Sequence, residues 1–263
     1  MKTIQSSMTV AEAIENIRRN NYLSFLPIGG DFEWSADTVE YLFDSLAKGY
    51  PIGSMVFWKV RGDAKTSTQF GRFRDCNKPM DIHYAEPIDT FSVDDFYCVL
   101  DGIQRLAALY IGLCGSFVYY RKYYDSADTT ERNCRPTRHL YFNLTQCEAV
   151  PESDDESEDE LEDEVSHSRT DFRLWKDTET NCVGLYIDSN GNKWYRVGDI
   201  LTSKVLNFCD EHHLNDIERE NFFKLYSAIC TTISIYYYEL DDTTFATAKD
   251  IFVHVHNERV RWA

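Results

Sequence analysis

The sequence predicts a mixed α/β protein of the α+β class, with an α/β core in its N-terminal half and a more helical C-terminal part. Three observations carry that expectation. Apolar residues recur with two different periods: helical spacing at Val39, Leu42, Phe43 and Leu46, and β-branched or aromatic runs at Ile52 to Val60 and Ile233 to Leu240. Turn signals fall between these stretches, chiefly at Gly49, Asp101-Gly102 and Asn190-Gly191. A hydrophobic content of 43% over 263 residues is enough to build a substantial core.

The elements follow in order. Thr9 and Glu12 form a capping box, and Ile14 and Ile17 continue it as a helix that Asn20-Asn21 breaks. Tyr22 to Ile28 is a strand ending near Pro27 and Gly29-Gly30. Residues 35–48 form the clearest helix, capped by Ser35 or Asp37 and ended by Gly49. Ile52 to Val60 is the next strand, and residues 61–92 are mixed and partly loop. Phe96 to Leu100 is an apolar strand that runs into Asp101-Gly102, and a helix starts at once, with Ile103, Leu106, Ala107, Tyr110 and Leu113 at helical spacing. Residues 117–124 are tyrosine-rich and 125–137 are polar loop. His139 to Leu144, Asp171 to Trp175 and Val183 to Ile187 read as strands, and Asn190-Gly191 turns a hairpin into Lys193 to Val197. Ile217 to Ile229 is a helix, Ile233 to Leu240 a strand, and Thr244 to Val255 a last helix. Three segments result: 1–145 as the core, 146–170 as a disordered acidic loop, and 171–263 as a hairpin and helices packed on the core.

Charge narrows the function classes. The net charge is −17, and ten acidic residues with no basic one lie between Glu152 and Glu164. Without that run the remainder carries about −7, a mild excess for this length. The run reads as a solvated, self-repelling loop. The overall balance argues against tight nonspecific DNA binding by this chain alone, which needs a basic face. The eight cysteines are scattered, with no Cys-x-x-Cys pair, so a zinc ribbon or redox motif is not expected and buried reduced thiols are. No apolar run approaches the roughly 20 residues of a membrane span, and the N-terminus lacks a signal-peptide core. A soluble cytoplasmic protein is the expectation.

The stretch from Val99 to Leu106 carries the chemistry. Gly102 lets the backbone turn sharply between strand and helix. The helix start then offers free amide hydrogens and a partial positive charge, which suit an anion. Asp101 can hold a divalent metal or polarise a water, and Gln104 and Arg105 can bind phosphate oxygens. The plainer reading stands beside it: Asp-Gly is a common turn, and Arg105 then sits on a solvated helix face.

Several phrases together resemble one family. They are Leu26-Pro27 through Phe32-Glu33-Trp34, Tyr41 to Leu46 running into Gly49-Tyr50-Pro51-Ile52-Gly53-Ser54 and Phe57-Trp58-Lys59, and Val99 to Leu106 continuing to Leu113. Leu140 to Leu144, Val197 to Leu201 and Ile251-Phe252-Val253 are lesser echoes. Their order and spacing are similar to the N-terminal domain of GmrSD-type restriction systems, over about Tyr22 to Val255. The resemblance implies a ParB/sulfiredoxin-like core and a role in bacterial defence against phage and modified DNA. It implies binding and hydrolysis of a nucleoside triphosphate with magnesium, and control of an HNH-type nuclease partner domain or protein. The family's Asp-Gly-Gln-Gln-Arg motif falls on Asp101, Gly102, Ile103, Gln104 and Arg105. By that resemblance Asp101, Gln104 and Arg105 are the catalytic residues, Gly102, Ile103 and Arg105 hold the nucleotide phosphates, and Asp101 is the metal ligand.

The chain departs from the family at three polar places. Ile103 stands where the family has Gln. The family's Gln-Arg pair between the early proline and the tryptophan is missing from Ile28-Gly29-Gly30-Asp31. The family's closing Arg-Val-Asn-Ser-Gly-Gly reads here His254-Val255-His256-Asn257-Glu258-Arg259. Losing one such arginine typically costs on the order of 10²–10³ in rate. The alternative is therefore a catalytically degenerate member that senses nucleotide or binds a protein partner. A truncated copy is a further expectation from the ending at Ala263.

Other motifs add little. No Gly-x-x-x-x-Gly-Lys-Ser/Thr loop, His-Glu-x-x-His or Gly-x-Ser-x-Gly occurs. His254 and His256 would share a face only on a strand, and the five tryptophans read as core or interface residues.

Overall fold

The computed structural model describes residues 2–26, 32–74, 85–91, 93–118, 137–145, 170–176, 184–202 and 205–256. The acidic run, Ile28 to Asp31 and Asn257 to Arg259 lie outside them.

Twelve strands among the described residues form two sheets. The larger contains β1 (Lys2–Thr9), β2 (Tyr22–Phe25), β3 (Ser54–Val60), β4 (Phe70–Phe73), β5 (Ala85–Ile88), β6 (Phe96–Asp101) and β12 (Ile233–Asp241), in the order β1-β12-β3-β6-β2-β4-β5. It is mixed: β12 runs parallel to β3 and β2 parallel to β6, while the other pairs are antiparallel. The smaller places β8 (Thr137–Asn143) between β9 (Phe172–Lys176) on one side and β7 (Phe117–Val118) and β11 (Lys193–Arg196) on the other, with β10 (Leu185–Ile187) beyond β11. The helices are α1 (Val10–Arg18), α2 (Ala36–Ala47), α3 (Ile103–Cys114), α4 (Val205–Glu211), α5 (Asp216–Tyr226) and α6 (Phe245–His256). The α+β expectation holds. The helices of the second half gather after Val205, however, and the described residues from Phe117 to Arg196 build the smaller sheet instead.

Local chemistry explains the helix starts. Thr9 and Glu12 close the capping box of α1 reciprocally. Ser35 Oγ accepts the Thr38 amide at 3.2 Å and caps α2. Asn215 and Glu218 repeat the box at α5. At the hairpin, Gly191 takes φ 84° between β10 and β11.

Alternation along β3 sends neighbouring side chains to opposite faces of the larger sheet. Trp58 meets Phe245 of α6 at 6.3 Å between centroids, and Phe25 meets Phe252 at 5.5 Å. Phe57 packs instead on Tyr22 and Tyr237, both at 4.8 Å. α3 lies at the centre of the molecule, against α1, α2, β8 and the turn at Val197–Leu201. Ile103, Leu106, Ala107, Ala108, Leu109, Ile111 and Leu113 are all buried. It packs without intervening bulk: a Cβ on Gly112 would stand 2.6 Å from the Phe43 ring, and one on Gly198 2.8 Å from the Leu113 carbonyl oxygen. Burial pushes the Cys98 thiol well above its ordinary range, as expected for a structural thiol.

Candidate functional site

The corner between β6 and α3 is built as its sequence requires. β6 ends at Asp101, opposite Val56 of β3, where the register slips by a residue between Val56 and Phe57. Gly102 follows in the left-handed region, φ 90° and ψ 12°. A Cβ there would meet Met55 Cγ at 2.6 Å, so glycine serves both the turn and the close approach. The first helical hydrogen bond runs from the Leu106 amide to the Gly102 carbonyl at 2.9 Å. The amides of the first turn have no acceptor within the helix. Gly102 has no side chain to cap them, and the turn holds no acidic residue. The positive end of the helix dipole therefore meets no carboxylate of that turn.

The five motif residues part ways here. Asp101 is half-buried, its side chain 30% exposed. Ile103 turns its side chain into the core, 4% exposed, and leaves only its backbone amide at the corner. Gln104 Oε1 accepts the Glu33 amide at 3.1 Å, tying the segment before α2 to α3. Arg105 is not on a solvated face: its side chain is 19% exposed. Its Nη1 donates to the Ile52 carbonyl at 2.7 Å, and its Nη2 donates to the Ser54 carbonyl at 2.9 Å and to Asp101 Oδ2 at 3.2 Å. The guanidinium is thus a strut between α3 and the loop entering β3. Among the described residues, Asp101 Oδ1 accepts no hydrogen bond.

Sequence reasoning missed the seat of that strut. Gly53, at φ 82°, brings the Ile52 and Ser54 carbonyls round the guanidinium, and a Cβ on it would lie 2.6 Å from Arg105 Nη1. The signal was present as Pro51-Ile52-Gly53-Ser54, which reads alone as a turn before a strand. Its link to Arg105 spans 53 residues and appears only when β3 and β6 pair.

Other sequence candidates resolve simply. His254 lies on α6, exposed, with Nδ1 2.8 Å from the Asp250 carbonyl oxygen, so the strand geometry a His-x-His ligand pair needs is absent there. Among the described residues no three His, Cys, Asp or Glu side chains group as a metal site. Trp58 and Trp194 are buried, Trp58 donating to the Thr243 carbonyl at 3.1 Å. Away from the corner, Tyr97 donates to Glu239 at 3.1 Å, and burial together with that carboxylate pushes its hydroxyl up to about 12.

An α+β domain whose central helix begins uncapped beside a strand-end aspartate defines the class. The particular family is then clear: the model for the GmrSD restriction endonuclease N-terminal domain matches residues 27–261, and the chain belongs to that family. It is a module of a restriction system. Among curated proteins, none matches the chain.

Proposed function

We propose that the chain is the nucleotide-sensing regulatory module of an anti-phage, modification-dependent restriction system. Its corner binds the phosphates of a nucleoside triphosphate, and an HNH-type nuclease reads the result. One observation supports this reading: α3 starts without a side-chain cap next to a carboxylate oxygen that, among the described residues, accepts no hydrogen bond. Helix starts of this kind favour phosphate oxygens.

The residues fit a metal only as it arrives with the triphosphate. Asp101 is the one carboxylate of the motif, and magnesium is commonly held by one or two carboxylates together with substrate phosphates. When bound, the metal would neutralise phosphate charge beside Asp101. The amides after Gly102 would donate to the phosphate oxygens. Gln104 would hold the Glu33 segment against the corner, and Arg105 would keep the Gly53 loop seated.

The strut geometry favours binding over turnover. Phosphoryl transfer depends on positive charge placed around the transferred group. Arg105 already directs three of its five N–H donors to two carbonyls and Asp101, and the stretch matching the family's other arginine has none. The test is thermal shift and phosphate release with GTP and with ATP plus magnesium, comparing wild type with Asp101→Ala. A ligand at about 100 times its Kd adds roughly 2.7 kcal/mol of stability. A shift in wild type that Asp101→Ala loses, without phosphate release, is the expected result. Release that Asp101→Ala abolishes would establish the hydrolase instead. No shift and no release with either nucleotide would overturn both.

A further inference from the structure

The two edges of the larger sheet are built differently. β5 is four residues long and contains Pro87, and its Glu86 pairs with Arg72 of β4. Proline, charge and shortness are the common means by which an edge avoids recruiting another strand. β1 is longer and barely guarded. Its eight residues contain no proline, and Lys2 is its single charged residue. Lys2 to Gln5 and Ser7 are exposed. One side of the strand pairs with β12 continuously, from Lys2 opposite Asp241 to Met8 opposite Ile235. Among the described residues, Lys2 to Ser7 make no hydrogen bond outside that ladder. The outward backbone N–H and C=O groups of this edge are therefore unpaired. One strand further in, Tyr236 and Tyr238 are 48% and 42% exposed, opposite Ser7 and Gln5.

We propose that β1 is a self-association edge, on which a second copy of this chain lays its own β1 antiparallel and joins the two seven-stranded sheets into one. Three features select a copy of the chain as the occupant. The strand has no acidic residue, although the chain carries −17 overall, so two copies can meet here without carboxylates facing each other. A twofold axis near Gln5 and Ser6 sends the two Lys2 side chains to opposite ends of the ladder, so no like charges stand across from one another. That axis is normal to the sheet and keeps the Tyr236 and Tyr238 face on the same side in both copies, with Gln5 and Ser7 of the two β1 strands between the tyrosine pairs. The arrangement also closes. Each copy uses the β1 edge of its larger sheet, and the outer edges of the joined sheet are then the two β5 strands with Pro87, so that sheet stops growing at two copies.

The test is the mass of the full chain in solution. Light scattering and sedimentation over about 1 to 200 µM should give a concentration-dependent approach to twice the 30.7 kDa chain mass. Gln5→Lys combined with Ser7→Lys places cations across the twofold and should raise the dimer dissociation constant at least about tenfold, with circular dichroism unchanged. Backbone hydrogen exchange of wild type should show β1 amides that slow as concentration rises, a readout that needs no variant. A monomer at every concentration would overturn the proposal. So would a dimer that the two lysines leave equally tight, or β1 amides whose exchange ignores concentration.

Discussion

Arg105→Ala separates a structural strut from a solvated surface arginine. The substitution removes a charged donor from the Ile52 and Ser54 carbonyls, at 2.7 and 2.9 Å, and its ion pair with Asp101. A hydrogen bond to a charged group contributes about 1.5–3 kcal/mol. The ion pair adds about 0–1 kcal/mol, because both side chains retain access to water. The two carbonyls lie near the surface and recover part of the loss by hydration. The net cost is about 2–4 kcal/mol, and for a chain of this size about 2–4 °C of Tm follows each kcal/mol. An arginine on a solvated face would change stability by about 0.5 kcal/mol or less. Urea unfolding followed by circular dichroism and tryptophan fluorescence measures the difference. Arg105→Lys keeps the charge but not the planar fork that spans two carbonyls, so most of the loss should persist. A change below about 0.5 kcal/mol in Arg105→Ala would refute the strut.

Three further outcomes follow from the same geometry. Gly102→Ala should destabilise by about 1–3 kcal/mol in urea unfolding, since the residue sits at φ 90° and the new methyl meets Met55. Gly112→Ala sets two effects against each other: helix propensity favours alanine by about 1 kcal/mol, but the methyl would stand 2.6 Å from the Phe43 ring and 3.1 Å from Leu140. Overpacking of about 1–3 kcal/mol should win, so Tm should fall rather than rise. Asp188 governs an acid limb at the β10–β11 hairpin. Partial burial opposes its ionisation, but the Asn192 and Trp194 side chains and the Asn190 and Asn192 amides, all donating at 2.9–3.0 Å, outweigh it and lower its pKa. The folded carboxyl therefore binds a proton less readily than the unfolded one. Its stabilisation is complete above the ordinary value of 3.8 and is lost as pH falls through the lowered folded value. Asp188→Asn should flatten the acid limb of urea midpoints measured against pH. An unchanged limb would refute the role.

Much of this architecture is legible residue by residue. The Thr9–Glu12 box, the Ser35 cap of α2, the Asp101-Gly102 turn into α3 and the Asn190-Gly191 hairpin are local: a side chain or a glycine settles them within four residues. The long apolar strands β3, β6 and β12 declare themselves by composition, because β-branched and aromatic side chains suit a packed sheet. β1 does not. Lys-Thr-Ile-Gln-Ser-Ser-Met-Thr has no apolar alternation of its own, and it is a strand because β12 offers it a ladder. The mixed stretch before Asp101 likewise becomes β4 and β5 only through pairing with β2 and with each other.

At the corner the division is the same. Composition and turn chemistry place an aspartate, a glycine and an arginine at the start of a helix, since those preferences act between neighbours along the chain. They leave open whether the arginine faces water, a ligand or the protein. Tertiary packing decides that: β3 lies beside β6, and Gly53 curls two carbonyls, 53 and 51 residues distant in sequence, around the guanidinium. A side chain's partner depends on which strands become neighbours, and that choice belongs to the packing of the whole core rather than to any short stretch of residues.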